Sequence, residues 1–139
     1  MQAFHFSLEK VLDHRKMSEE EAMRAYGQLQ QTVHAQETAC TALQKEKAQL
    51  LEISEHTIGR MQVQQRYVIA LSNAIDEAET KLFHVKQELA ASLDQVIEAQ
   101  QARKVVEKLR EKKFAEYSYT RQQEEQKQLD EFANRPLFS

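Results

Sequence analysis

Apolar residues recur along this chain in steps of three and four, in two long runs. Leu8, Leu12, Ala22, Tyr26, Leu29, Val33, Cys40, Leu43 and Leu50 form the first. Val68, Leu71, Ile75, Ala78, Leu82, Val85, Leu89, Val96, Ala99 and Val106 form the second. A sustained period of 3.5 residues predicts helices that wrap around a partner helix. Between the runs lies the stretch from Ser54 to Arg60, with the weakly helical Thr57-Ile58 pair and Gly59. That glycine suits a positive φ just past a helix C-terminus. One interruption between two seams predicts an all-α fold, an antiparallel two-helix coiled-coil hairpin in which each helix serves as the other's partner.

The elements follow from the same pattern. A first helix is predicted over about 5–54, with Ser7 as N-cap and Phe6 with Val11 at the spacing of a hydrophobic staple. At 1.5 Å per residue it is roughly 70 Å long. A turn over about 55–60 leads to a second helix over about 61–133, roughly 105 Å long, which stops at Asn134-Arg135-Pro136. The helices are therefore unequal within a single coiled-coil domain, 1–139. A turn centred near His56 or Thr57 puts residue 5 opposite residue 108 or so, so that 110–139 extends beyond the paired region. The heptad frame is lost after Val106, where Arg110 and Lys113 fall at core-type positions. Arg15, Glu19, Gln36 and Lys47 interrupt the first seam; polar seam residues weaken a coiled coil but specify its register. A long end with so little apolar surface needs a partner to become rigid.

Composition supports this picture. Trp is absent, Pro occurs once and Gly twice, so helix breakers are scarce. The net charge of −3 argues against an electrostatic nucleic-acid binder. Charge is uneven, however: Arg103 to Lys113 holds six basic and two acidic residues. A run of that kind on a helix is usually a solvated face. It contains Val105, Val106 and Leu109 and lies downstream of the seam, which does not fit a basic leucine zipper. Cys40 is the sole cysteine and acts as small seam filler. Met1 to Leu12 has no apolar core of a signal peptide. The longest apolar run, Tyr67 to Leu71, is far short of the roughly 20 residues of a membrane span. The expectation is a cytoplasmic protein without membrane insertion.

Candidate chemistry is scarce. The five histidines are too far apart for a metal motif, and no Cys-x-x-Cys pair or Gly-rich phosphate loop occurs. A two-helix hairpin offers no concave, water-poor site. The expectation is a protein that is not an enzyme and uses no cofactor or metal. The most apolar stretch is Tyr67, Val68, Ile69, Ala70, Leu71, Ala74, Ile75 and Ala78. It reads either as packing near the turn or as an apolar shoulder for a partner.

The opening Phe4-x-Phe6-x-Leu8-Glu9-Lys10-Val11-Leu12-x-x-Arg15-Lys16 resembles the start of FliJ proteins, the small coiled-coil component of the flagellar type III export apparatus. Tyr67-Val68-Ile69-Ala70-Leu71-Ser72-Asn73-Ala74-Ile75 resembles the family's second-helix start. Lys108 to Lys112, followed by Glu125 to Ala133, resembles its end. The resemblance covers essentially the whole chain. It implies a stalk that is similar to the central subunit of rotary ATPases and serves bacterial flagellum biogenesis and motility. In the family the end with both termini inserts into the hexameric export ATPase and activates it, and the second-helix start touches the cytoplasmic domain of the membrane export gate. Export chaperones are further partners. Carried over by position, Tyr67, Leu71, Ala74 and Ala78 are the implied gate contacts. The implied ATPase contacts are regional: Arg103, Lys104, Lys108, Arg110, Lys112, Lys113, Tyr117 and Arg121. The implied location is the cytoplasm, peripherally at the inner face of the cell membrane at the flagellar base. Two other readings stay open: a self-associating structural coiled coil, with Arg15, Glu19 and Arg103 pairing across a dimer, and an escort for export chaperones.

Overall fold

The computed structural model describes residues 3–135. It contains two helices, α1 over Glu9–Leu51 and α2 over Ile58–Ala133, and no strand among the described residues. The chain divides into two compact units, one of residues up to 20 and from 98 on, the other of residues 21–97. In each unit α1 and α2 pair antiparallel, the unequal helical hairpin that the two seams predict. The expected extension's last residues, 136–139, lie outside the described residues. No helix among the described residues is long and apolar enough to cross a membrane.

In the 21–97 unit the seam is continuous. Val33 and Cys40 of α1 and Leu71 and Ile75 of α2 are buried. Tyr26, Leu29, Gln36, Leu43, Lys47 and Leu50 are half-buried on the same alternating steps, so the polar residues Gln36 and Lys47 do occupy the seam. Ser92 fills the gap that the apolar pattern left between Leu89 and Val96, and it is buried at 5% exposure. Its small side chain fits a crowded interface where a larger one would force the helices apart. The two flanks of the seam carry different contacts. Lys86 meets Glu37 at 3.5 Å and Gln44 meets Glu79 at 3.2 Å on one flank. On the other, the Tyr67 hydroxyl donates to the Glu46 carboxylate.

The connection is shifted from its predicted place. α1 ends at Leu51, and the link runs from Glu52 to Thr57. Gly59 lies inside the first turn of α2, and no described residue has positive φ. Two caps remove the need for a left-handed glycine. The Thr57 hydroxyl accepts from the Arg60 N–H at 3.3 Å, and the Thr57 carbonyl accepts from Met61 at 2.9 Å, so Thr57 is the N-cap of α2. Gln64 of α2 then donates its amide to the carbonyls of Leu50 (2.8 Å) and Ile53 (2.9 Å). Leu50 is in the last turn of α1, where its carbonyl also accepts from the Ile53 N–H at 3.2 Å, and Ile53 belongs to the link. A side chain of α2 thus ties down the end of α1 and the link without a left-handed glycine. At the other end, α1 starts two residues after the predicted cap Ser7. Leu8 supplies the first helical acceptor, to Leu12 at 3.0 Å, and Phe6 accepts from Glu9 at 3.1 Å.

Gly27 is in mid-α1, where glycine costs about 1 kcal/mol relative to alanine. A Cβ there would meet nothing within 4 Å. Gly27→Ala is therefore expected to stabilise the isolated chain by about 1 kcal/mol, read by urea denaturation. Gln64→Ala is expected to destabilise it by about 1 kcal/mol, the net worth of an ordinary intramolecular hydrogen bond. An unchanged midpoint would show that water replaces the cap fully.

Candidate functional site

Two surfaces carry the residues implied as functional. The first is in the unit that holds both chain ends. Its interface begins with buried Phe6 and Leu12, the latter 2% exposed. Further along α2 the seam positions are charged, and the charges are matched. Arg103 forms an ion pair with Glu19 across the interface and with Glu107 one turn on, at 2.5 Å. Its side chain keeps 20% of its exposure and that of Glu19 14%. The hydrogen bond with Glu19, with the Glu107 carboxylate beside it, holds the guanidinium charge even more firmly than usual. Arg110 meets Glu9 at 3.0 Å and lies over the Phe4 ring at 5.6 Å, a cation held by an acid and a π face together.

Pairing also reaches further along α2 than a turn centred near residue 56 predicts. Phe4 packs edge-on against Phe114 at 5.1 Å and tilted against Tyr117 at 5.4 Å. The seam, and not the midpoint of the link, sets the register, so Arg110 and Tyr117 are half-buried instead of lying beyond the paired region. This aromatic cluster was not foreseen. The signal was present in Phe4, which precedes the helix at a spacing that only a slightly different register brings opposite Phe114.

The eight regional residues therefore fall into classes. Arg103 and Arg110 are turned to α1 and neutralised. Lys113 meets Glu116 at 3.7 Å and Arg121 meets Glu125 at 3.2 Å, both on their own helix. Tyr117 belongs to the aromatic cluster. Lys104, Lys108 and Lys112 are exposed and form no ion pair among the described residues. Spaced by four, they make a stripe about 12 Å long on one face. From Tyr119 onward every described residue is exposed, including Leu129 and Phe132.

The second surface is the shoulder at the start of α2. Tyr67 is 45% exposed, and its bond to Glu46 raises its pKa above the ordinary tyrosine value. Ionisation would lose the donated hydrogen bond and place two negative charges together. Leu71 is buried in the seam, and Ala74 and Ala78 are half-buried. The structure thus presents Tyr67 to solvent and keeps Leu71 for α1. Nearby Ile69, Val63, Met61 and Ile58 are exposed. No group of three or more potential metal ligands occurs among the described residues. The groove of about 580 Å³ beside Phe4, Tyr117 and Arg121 is open and includes Glu124 and Glu125, so it lacks the shelter that catalysis requires. Both surfaces suit recognition of another protein.

A family model described as "Flagellar FliJ protein" matches residues 4–138. No curated protein and no solved structure matches the chain.

The charged seam makes a distinctive expectation. Replacing Arg103 by Met leaves Glu19 sheltered without its cation and is expected to lower the thermal midpoint. Adding Glu19→Leu is expected to restore most of the loss, because unpaired charge and not lost attraction dominates at sheltered sites. Circular dichroism melts of both single variants and the double variant decide it; additive losses would exclude coupling.

Proposed function

The chain belongs to the FliJ family and so to the components of the flagellar export apparatus, and from that premise we propose that it is a non-enzymatic stalk. It binds and activates the hexameric export ATPase through the unit carrying both ends. It touches the cytoplasmic domain of the export gate through the shoulder at Tyr67. Its place is the cytoplasm at the inner face of the membrane, beneath the flagellar base. Export chaperones fit the same apparatus as additional partners.

One observation carries this reading: α2 continues to Ala133 with every described residue from Tyr119 on exposed. A helix with so little apolar surface of its own gains rigidity from a surrounding partner. Lys104, Lys108 and Lys112 supply the outward charge that favours oriented encounter, whereas Arg103 and Arg110 serve the hairpin itself. For the gate, Tyr67 makes direct contact while Leu71, Ala74 and Ala78 hold the shoulder's shape from the seam side. The self-association reading loses its original motive, since Glu19 and Arg103 pair within one chain.

Titrating the protein into purified export ATPase is expected to raise ATP turnover and ring formation. The triple variant Lys104→Glu, Lys108→Glu, Lys112→Glu should need at least several-fold more protein for half-maximal activation, with an unchanged melt. No stimulation by the unaltered protein at saturation would refute the stalk role.

A further inference from the structure

We propose that the 21–97 unit carries a self-association surface, on the flank opposite Tyr67, where a second copy of this chain docks antiparallel about Ala90. This rests on unit geometry and is independent of the stalk reading.

α2 bears a second apolar stripe besides the seam. Phe83, Ala90 and Ile97 follow one another at intervals of seven, with Leu93 between the last two. At about 100° per residue these side chains lie within about 80° of one another. All are exposed, Phe83 at 59%, Leu93 at 41% and Ile97 at 43%. A helix with two adjacent apolar stripes at heptad spacing has surface for two neighbours, and α1 covers only one. The stripe sits on the flank marked by the Lys86–Glu37 pair, away from the Tyr67–Glu46 contact. On α1 the same flank carries Met23, 55% exposed, and Gly27. Nothing within the chain needs that glycine, because a Cβ there meets open space. A bare backbone notch is what a close neighbour uses.

Three of the four apolar side chains fix the occupant: Phe83, Ala90 and Ile97 stand evenly, large, small and large, about Ala90, while Leu93 lies level with Gln87 of a second copy. A two-fold axis there sets Phe83 level with the second copy's Ile97 and lets the two alanines face each other, an isologous contact. The same operation brings Asp94, which makes no ion pair or hydrogen bond among the described residues, level with the second copy's Lys86, a half-exposed cation that within its own chain meets Glu37 at 3.5 Å. A stripe about 21 Å long buries on the order of 400 Å² per copy, below the size of a stable interface. The dimer is consequently weak, with a Kd of tens of micromolar as its scale.

Sedimentation equilibrium of the unaltered protein across the micromolar range should show reversible dimerisation. Phe83→Glu with Ile97→Glu should weaken it at least tenfold, and Tyr67→Ala should leave it unchanged; both sites are exposed, so folding is preserved and is checked by circular dichroism. In a Cys40→Ala background, Ala90→Cys should form an interchain disulfide well before Lys81→Cys, which lies on the other flank. A monomer at every concentration, equal cross-linking at both positions, or dimerisation untouched by the Phe83 and Ile97 changes would each overturn the proposal. Because the ATPase assay reads stimulation of turnover and sedimentation reads the association of this chain alone, failure there and failure here are separate results.

Discussion

A single interface, one helix against one helix, carries the stability of this fold. The segment before α1 adds to it through buried Phe6 and through Phe4, which packs on Phe114 and Tyr117. Phe6, Leu12, Val33, Cys40, Leu71 and Ile75 are the only buried hydrophobic residues among those described. At roughly 1.5–3 kcal/mol for each fully buried large side chain, so thin a core leaves little reserve against the conformational entropy of ordering two long helices. Continuity of the seam therefore matters more than any one contact. It explains why positions that cannot be apolar are still matched: Ser92 by its size, Gln64 by two carbonyls, Arg103 by two carboxylates.

The two units solve this constraint with different chemistry. In residues 21–97 the seam is mainly apolar, with Lys47 its one charged member, and the ion pair is on a flank, where Lys86 and Glu37 remain about half exposed. Exposed pairs of that kind contribute little to stability. In the unit with both ends, charge enters the seam itself. Arg103 and Arg110 fill heptad positions, and the Phe4 ring lies under the last of them while packing on Phe114 and Tyr117. Such contacts are directional, so they specify register where apolar packing would tolerate slippage. They also leave the opposite side of α2 free to present Lys104, Lys108 and Lys112.

Much of this was legible from spacing alone. The alternating steps predict the helices, their antiparallel pairing and the inclusion of Gln36 and Lys47 in the seam, because a 3.5-residue period constrains face as well as conformation. What spacing could not reveal is register. An antiparallel pair is set by complementary layers and not by counting from the link, so the partners of Glu19, Glu9 and Phe4 emerged only in three dimensions. Gly59 was misleading for a related reason. A glycine near a break suggests a left-handed cap, but the N–H groups of Glu52 and Ile53 already bond the Gln49 and Leu50 carbonyls, and Gln64, distant in sequence, ties Leu50 and Ile53 to α2. The implied gate residues were legible as a helical face and not as a surface, since burial of Leu71 depends on which side α1 occupies.

Flank and seam together explain how so simple a fold can keep separate surfaces independent. A residue on the seam is committed to the other helix, and changing it alters every surface at once. A residue on a flank can be altered alone. Tyr67 is on one flank of the 21–97 unit, tied only to Glu46, while Phe83, Leu93 and Ile97 are on the other. A contact on one side leaves the other side chemically unchanged, because no polar network connects the flanks through the apolar seam. Independent contacts of this sort need no pocket and no conformational switch. They need only a seam stable enough to hold two faces apart, which is the property that Val33, Cys40, Leu71, Ile75 and the small, buried Ser92 maintain in this unit.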